Sequence, residues 1–119
     1  MCCEPFILNK TRPKTAEQLM RSRFTAYSLK KIDYIHQTTQ GKALEDFDMT
    51  SALYSMNNCQ WTSLTILNTL LGMEFDETGF VEFIASYISD GLEYTLHERS
   101  EFANIDGHWT YIDGEQYTA

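Results

Sequence analysis

At Cys59 the sequence changes its period. Downstream, β-branched and aromatic residues dominate, and three Asp-Gly pairs punctuate them: Asp90-Gly91, Asp106-Gly107 and Asp113-Gly114. Asp-Gly accepts the positive φ angles of tight two-residue hairpins. This half is therefore predicted to be an antiparallel meander, with strands at 60–71, 79–89, 92–105 and 108–113. The first connection, 72–78, is longer and acidic. The second strand carries large apolar groups on both faces, Val81, Phe83 and Tyr87 against Phe80, Ile84 and Ile88. Such a strand is expected to be covered on both sides, by helices on one and by a second subunit on the other.

Upstream of Cys59 the period is helical. Thr15 to Leu29 forms the clearest helix, with Thr15 as cap, Gln18 completing a capping box, and Pro13 stopping the helix from extending backwards. On a helical wheel Ala16, Leu19, Met20, Phe24, Ala26 and Tyr27 share one broad face, and Arg23 sits in its middle. A short second helix spans 30–38 with Ile32 and Ile35 inward, closed by Thr38-Thr39-Gln40-Gly41. A third covers 43–56, where Leu44, Phe47 and Tyr54 lie on one stripe and Met49, Leu53 and Met56 on another. That change of phase predicts a break capped by Thr50 or Ser51. Residues 1–14 show no period and form a lead-in segment that docks through Phe6, Ile7 and Leu8. Helices followed by consecutive antiparallel strands make an α+β layout. At 119 residues this is one domain, 15–119. Helices lying in the concave side of a long curved sheet form a cone, with a pocket at its mouth as the place to look for function.

An arginine is almost never buried without a partner, so the face opposite the first helix must answer Arg23. Alternation along Leu96-His97-Glu98-Arg99-Ser100-Glu101-Phe102 puts Leu96, Glu98, Ser100 and Phe102 together on one face. Glu98 is the first choice of partner, in a bidentate pair completed by Tyr27 or Tyr111, and Glu82 is the second. Such a pair is either an architectural lock between helix and sheet or the floor of a ligand pocket in which Arg23 clamps an anionic group. Trp61, Trp109 and Tyr111 are core residues on the first reading and pocket lining on the second. The candidate pocket set is thus Arg23, Tyr27, Trp61, Glu82, Glu98, Ser100, Trp109 and Tyr111. His36, His97 and His108 have no ligand spacing and read as surface or rim residues. Neither a metal nor another cofactor is expected, and no residue is assigned a catalytic role. There is no phosphate loop, Gly-x-Ser-x-Gly or zinc-protease motif.

Composition excludes several classes. Nine basic against 17 acidic residues give a net charge of −8, which repels phosphate backbones, so no nucleic acid is expected as a partner. The basic clusters, Lys10 to Arg23 and Lys30-Lys31, belong in part to a helix edge. No apolar run reaches the roughly 20 residues that cross a bilayer, so no membrane association is expected. Met1 is followed by Cys2, Cys3 and Glu4, without the basic start and apolar core of a signal peptide. Three cysteines lack the even count of a secreted scaffold. A cytoplasmic location is the expectation, with Cys59 a small buried apolar residue.

Taken in order, several stretches resemble the YchJ family of bacterial proteins. They are Cys2-Cys3-Glu4-Pro5, Thr15 to Phe24 (TAEQLMRSRF), Asp33-Tyr34-Ile35, Trp61 with Leu64, Gly79 to Ala85 (GFVEFIA), Glu98 to Phe102 (ERSEF) and Gly107 to Gly114 (GHWTYIDG). The resemblance implies a cystatin-like cone similar to nuclear transport factor two, a fold shared with ketosteroid isomerases and scytalone dehydratases. Fold alone assigns no activity on that scaffold. Relatives begin with a SEC-C zinc motif, Cys-x-Cys-Gly-Ser-Gly followed by a Cys pair. Cys2-Cys3 resemble the trailing pair, so residues 1–14 read as the remnant of that motif and supply only half of a four-ligand zinc site. A C-terminal SEC-C copy, found in some relatives, is also missing from this sequence. Where relatives often read Thr-Trp-His-Pro this chain has Thr38-Thr39-Gln40-Gly41, and Gln40 cannot do a histidine's acid–base work. The leading expectation is a non-enzymatic module that binds a small molecule or a protein partner in a pocket between the first helix and the sheet. The competing expectations are a small-molecule enzyme of the isomerase or dehydratase kind, and a scaffold that forms a homodimer through the outer sheet face.

Overall fold

The computed structural model describes residues 4–8 and 11–117. The half zinc site expected at Cys2-Cys3 lies outside the described residues. Helices α1 (Glu4–Ile7), α2 (Ala16–Ser28), α3 (Ile32–Gln37), α4 (Gly41–Glu45) and α5 (Met49–Asn58) precede four strands. These are β1 (Gln60–Leu71), β2 (Thr78–Ser89), β3 (Leu92–Ile105) and β4 (His108–Tyr117), paired antiparallel in the order β1-β2-β3-β4. The α+β meander expected from the sequence is the observed architecture.

Two of the three Asp-Gly pairs turn the chain. Asp90 and Gly91 have φ of 52° and 78°, and Asp106 and Gly107 have 54° and 85°, the double positive φ of type I′ hairpins. The third does not: Asp113-Gly114 lies inside β4, which runs on to Tyr117 because Gly114, Glu115, Gln116 and Tyr117 find partners along β3 from Ser100 to His97. Asp113 instead folds its side chain onto the next backbone N–H, 2.9 Å away. Register shifts interrupt β1 twice and the β3–β4 pairing once, at Glu101/Phe102. Bulges of this kind bend and twist a strand, and the sheet curves around α2.

Thr15 caps α2 through the Gln18 N–H, and the Gln18 side chain reaches back to the Lys14 N–H rather than to Thr15 itself. Helix α2 has apolar contacts on two sides. Ala16, Leu19 and Met20 pack on Val81, Phe83, Ala85, Phe102 and Trp109 of the sheet. Ala26 belongs to a second cluster with Tyr34, Ile35 and Met56, onto which Phe6 and Ile7 dock, while Leu8 stays exposed. The buried Ser22, absent from the apolar wheel, links these layers: its hydroxyl donates to Leu19 O and shares a 2.6 Å hydrogen bond with Tyr34 Oη.

The break expected in the third helix is the gap between α4 and α5, but its cap is Asp48, which accepts from Thr50 N and Ser51 Oγ. An aspartate two positions upstream of Thr50 outcompetes the hydroxyls for the free N–H groups. Of the apolar residues along α5 only Met56 is buried, and Tyr54 is largely exposed. Cys59 is half-buried rather than fully enclosed. The outer face of β2, with Phe80, Ile84 and Ile88, is half-buried and carries no helix; the Arg99 guanidinium lies 4.2 Å from the Phe80 ring centre. Among the described residues no helix is long and apolar enough to cross a membrane.

Candidate functional site

Arg23 projects from the middle of α2 and is only 6% exposed. Its Nη1 donates to Ile35 O at 3.1 Å, Thr38 Oγ1 at 2.7 Å and Thr39 Oγ1 at 3.1 Å. The two threonine hydroxyls are themselves aimed by donating back into α3, to Tyr34 O and Ile35 O. The same turn is tied to the sheet where Gln40 N donates to Tyr111 O and Tyr111 N to Thr38 O. The guanidinium stands 4.8 Å from the centre of the Tyr111 ring, within cation–π range. Burial lowers its pKa from the ordinary arginine value, with Tyr27 the first neighbour acting against that shift.

The expected bidentate pair with Glu98 does not form. The ion pairs among the described residues are Arg21–Glu17 and Lys42–Asp46, and His97 shares a hydrogen bond with Glu82. The carbonyl and two hydroxyls at the end of α3 take up Nη1 of the guanidinium in place of Glu98. Thr38 and Thr39 are the functional neighbours that the sequence reading missed; a Thr-Thr pair closing a short helix was their only signal.

Glu98, 9% exposed, is held separately. Its Oε2 accepts from Ser100 Oγ at 2.5 Å and from Tyr111 Oη at 3.2 Å. Burial first, then the Glu98 charge, raises the Tyr111 pKa above its usual value of about 10, so this phenol keeps its proton and acts as a donor. Tyr111 therefore serves both charges, its ring toward Arg23 and its hydroxyl toward Glu98. Gly114, paired with Ser100 on the neighbouring strand, leaves the space they occupy: a Cβ there would run into Tyr111 Oη and lie 2.6 Å from Glu98 Oε2. Gly114→Ala is expected to displace both side chains and lower stability by about 1–2 kcal/mol, read by denaturant unfolding. A neutral result would mean that the carboxylate swings freely.

These groups floor a cavity of about 250 Å³ between α2 and the concave sheet face, walled by Met20, Phe24, Phe83, Ala85 and Leu96. Tyr27, Trp61 and Ser55 of α5 also border it. From Trp61 an aromatic row leads away along the sheet, with Tyr87 at 4.8 Å and Tyr94 stacked on Tyr87 at 5.3 Å. Six of the eight candidate pocket residues are thus brought together: Arg23, Tyr27, Trp61, Glu98, Ser100 and Tyr111.

Glu82 and Trp109 are not among them. Glu82 faces the outer side of the sheet and bonds His97 Nε2 at 2.7 Å, because β2 alternation puts it opposite Val81 and Phe83. Trp109 is core, its Nε1 donating to Lys14 O at 3.1 Å, and it borders a wider cleft of about 790 Å³ between residues 11–14 and 74–77. No polar side chain that borders that cleft is buried. His36 rests on Phe47 and His108 on Arg12, both exposed. Among the described residues no three His, Cys, Asp or Glu side chains gather as a metal would require.

Comparison with known proteins agrees with this architecture. The family model described as the middle domain of YchJ, similar to nuclear transport factor two, matches residues 15–114. A UPF0225 protein of Geobacter sulfurreducens is 43% identical over 95% of this chain and 70% of its own length. The solution structure of a SEC-C motif containing protein from Rhodopseudomonas palustris superposes with a TM-score of 0.87 at 34% identity, covering 98% of this chain and 90% of that one. The crystal structure of a SEC-C motif containing protein from Psychrobacter arcticus gives 0.80 at 25% identity, over 98% and 71%. The chain belongs to the YchJ family, and its cone is the middle domain of that family.

Proposed function

We propose that this domain binds a small molecule in the cavity between α2 and the sheet, and that it does so without transforming it. The observation that carries this reading is an apolar cavity whose floor holds two buried ionisable side chains, Arg23 and Glu98, each secured by its own partners and not by the other. A purely architectural pair would have closed on itself. The enzymatic alternative needs a group that moves a proton beside the ligand; Glu98 with Tyr111 against it is the candidate on the floor, while His36, His97 and His108 do not border the cavity. At about 250 Å³ the space falls just below the roughly 300–1,000 Å³ of drug-sized sites, so it suits a ligand of one ring or a short branched chain.

Toluene is a suitable first probe, because apolar cavities of this kind admit small aromatics. Saturation-transfer NMR is expected to show it bound to the native chain. Ala85→Leu, which fills the wall, and Ser55→Trp, placed at an exposed position on the rim, are both expected to abolish that signal. Binding that survives both variants would remove the cavity as the site.

A dimerisation scaffold is a second reading, favoured by the half-buried Phe80, Ile84 and Ile88 on the face no helix covers. Light scattering on the native chain and on Ile84→Asp tests it. A mass that falls to the monomer only in the variant supports it, and a strict monomer at high native concentration removes it.

A further inference from the structure

We infer that the cavity selects an uncharged ligand whose edge offers an acceptor and a donor side by side, as a carboxamide, lactam or pyrimidine edge does, carried on a flat ring. The inference rests on the binding reading above and names its ligand class. It follows from which polar atoms on the floor are already engaged. All three hydrogen bonds of Arg23 leave from Nη1; Nε and Nη2 have no partner among the described residues. Among the described residues Glu98 accepts both of its hydrogen bonds at Oε2, and Oε1 accepts none. No buried polar side-chain atom among the described residues is sealed off without a partner. The spare donors and the spare acceptor therefore reach accessible space, and the space both residues border is this cavity.

Charge decides the class of ligand. Arg23 and Glu98 together sum to zero, and Tyr111 spaces them, with its ring toward one and its hydroxyl toward the other. A carboxylate seated on Arg23 would face Glu98, and an ammonium or amidinium seated on Glu98 would face Arg23. In a water-poor site either like-charge contact is unfavourable. A neutral edge with an acceptor toward Arg23 and a donor toward Glu98 satisfies both and adds no charge. This ligand class differs from the expectation that Arg23 clamps an anion. Above the floor the surfaces are flat: Trp61 meets Phe24 edge-on at 6.1 Å, with Tyr27 at 6.1 Å and Tyr87 at 4.8 Å. Faces so arranged accept a planar body by offset or edge contacts.

Three near-isosteric probes test the class at pH 7: benzamide, benzoate and benzamidine, each competed against toluene by ligand-observed NMR. Benzamide is expected to displace toluene at least about tenfold better than either ion, since one unpaired buried charge or polar group costs more than the 1.4 kcal/mol that a tenfold difference represents. Glu98→Gln leaves Arg23 as the only charge on the floor and is expected to reverse the order, with benzoate first. If that variant fails to fold, the order of the three probes on the native chain decides alone. Benzoate or benzamidine ahead of benzamide would overturn the ligand class and leave the binding site standing. So would toluene binding that none of the three displaces, because the floor would then hold only water. Failure of toluene itself to bind the native chain would overturn the site, and the ligand class with it.

Discussion

Arg23→Met is expected to lower the free energy of unfolding by about 3–5 kcal/mol, whereas Arg21→Met, two positions away, should stay within about 0.5 kcal/mol. Arg21 is half-exposed and paired with Glu17 at 3.0 Å one turn back, a contact of the kind worth a few tenths of a kcal/mol. Arg23 is the central link between α2, the end of α3 and the sheet. Methionine keeps much of the volume and removes every donor, so Ile35 O, Thr38 Oγ1 and Thr39 Oγ1 each lose a hydrogen bond in a buried place. It also leaves Glu98 without the cation nearest its cavity. Urea unfolding with an unchanged m-value measures the loss, and equal midpoints for the two variants would refute it.

The two contributions separate in a double variant. Glu98 makes no ion pair with Arg23 and is held by Ser100 and Tyr111. The loss is therefore expected to come mostly from the three abandoned oxygens, so Arg23→Met with Glu98→Gln should recover less than half of it. Full recovery would mean that charge pairing dominates after all. Arg23→Lys should fall between, because a single ammonium keeps the charge but cannot reproduce the planar contact with the Tyr111 ring.

The sequence carried the fold through period and turn chemistry. The alternation of β2 and β3 and the Asp-Gly signals located every strand to within a residue, except for the end of β4. That end was hidden because Asp113-Gly114 has the composition of a turn while its register partners on β3 keep it extended. Glu98, Ser100 and Tyr111 were legible for the same reason, since strand alternation alone puts the first two on the cavity side. The partner of Arg23 was not legible. A helical wheel reports that an arginine faces inward, but which oxygens meet it depends on how α3 ends, and Thr38 and Thr39 carry no period that points across the molecule. Glu82 and Trp109 were misplaced by related gaps. With apolar residues on both faces of β2, period does not say which face the helix covers, and for Trp109 it does not say which part of the inner face borders the cavity. Ser22, a hydroxyl between apolar neighbours, shows the same limit: its burial follows from Tyr34, twelve residues later.

Gly79→Ala is expected to be the other severe substitution, lowering stability by about 3 kcal/mol or more. The position reads as an ordinary strand start, with no positive φ to mark it. Its importance comes from a close approach of backbones. Gly72 and Gly79 face each other across the base of the β1–β2 connection, where Gly72 N donates to Thr78 O at 3.1 Å. The first residue of α2 rests on them, Ala16 N donating to Gly72 O at 2.9 Å. A Cβ on residue 79 would lie 2.5 Å from Gly72 Cα, 2.9 Å from Gly72 N and 3.1 Å from Ala16 Cβ. Two of those atoms are backbone and cannot turn aside, so either the connection opens or the helix lifts. Arg23 sits two turns along that helix, so a lift at Ala16 would also pull the guanidinium from the α3 carbonyl end and reshape the cavity. Gly91→Ala is the control. It sits at φ 78° with open space around it, and is expected to cost only about 1 kcal/mol for the left-handed conformation. Thermal unfolding that ranks the two alike would show that the Gly72–Gly79 contact yields easily, and that α2 is not fixed at its first turn.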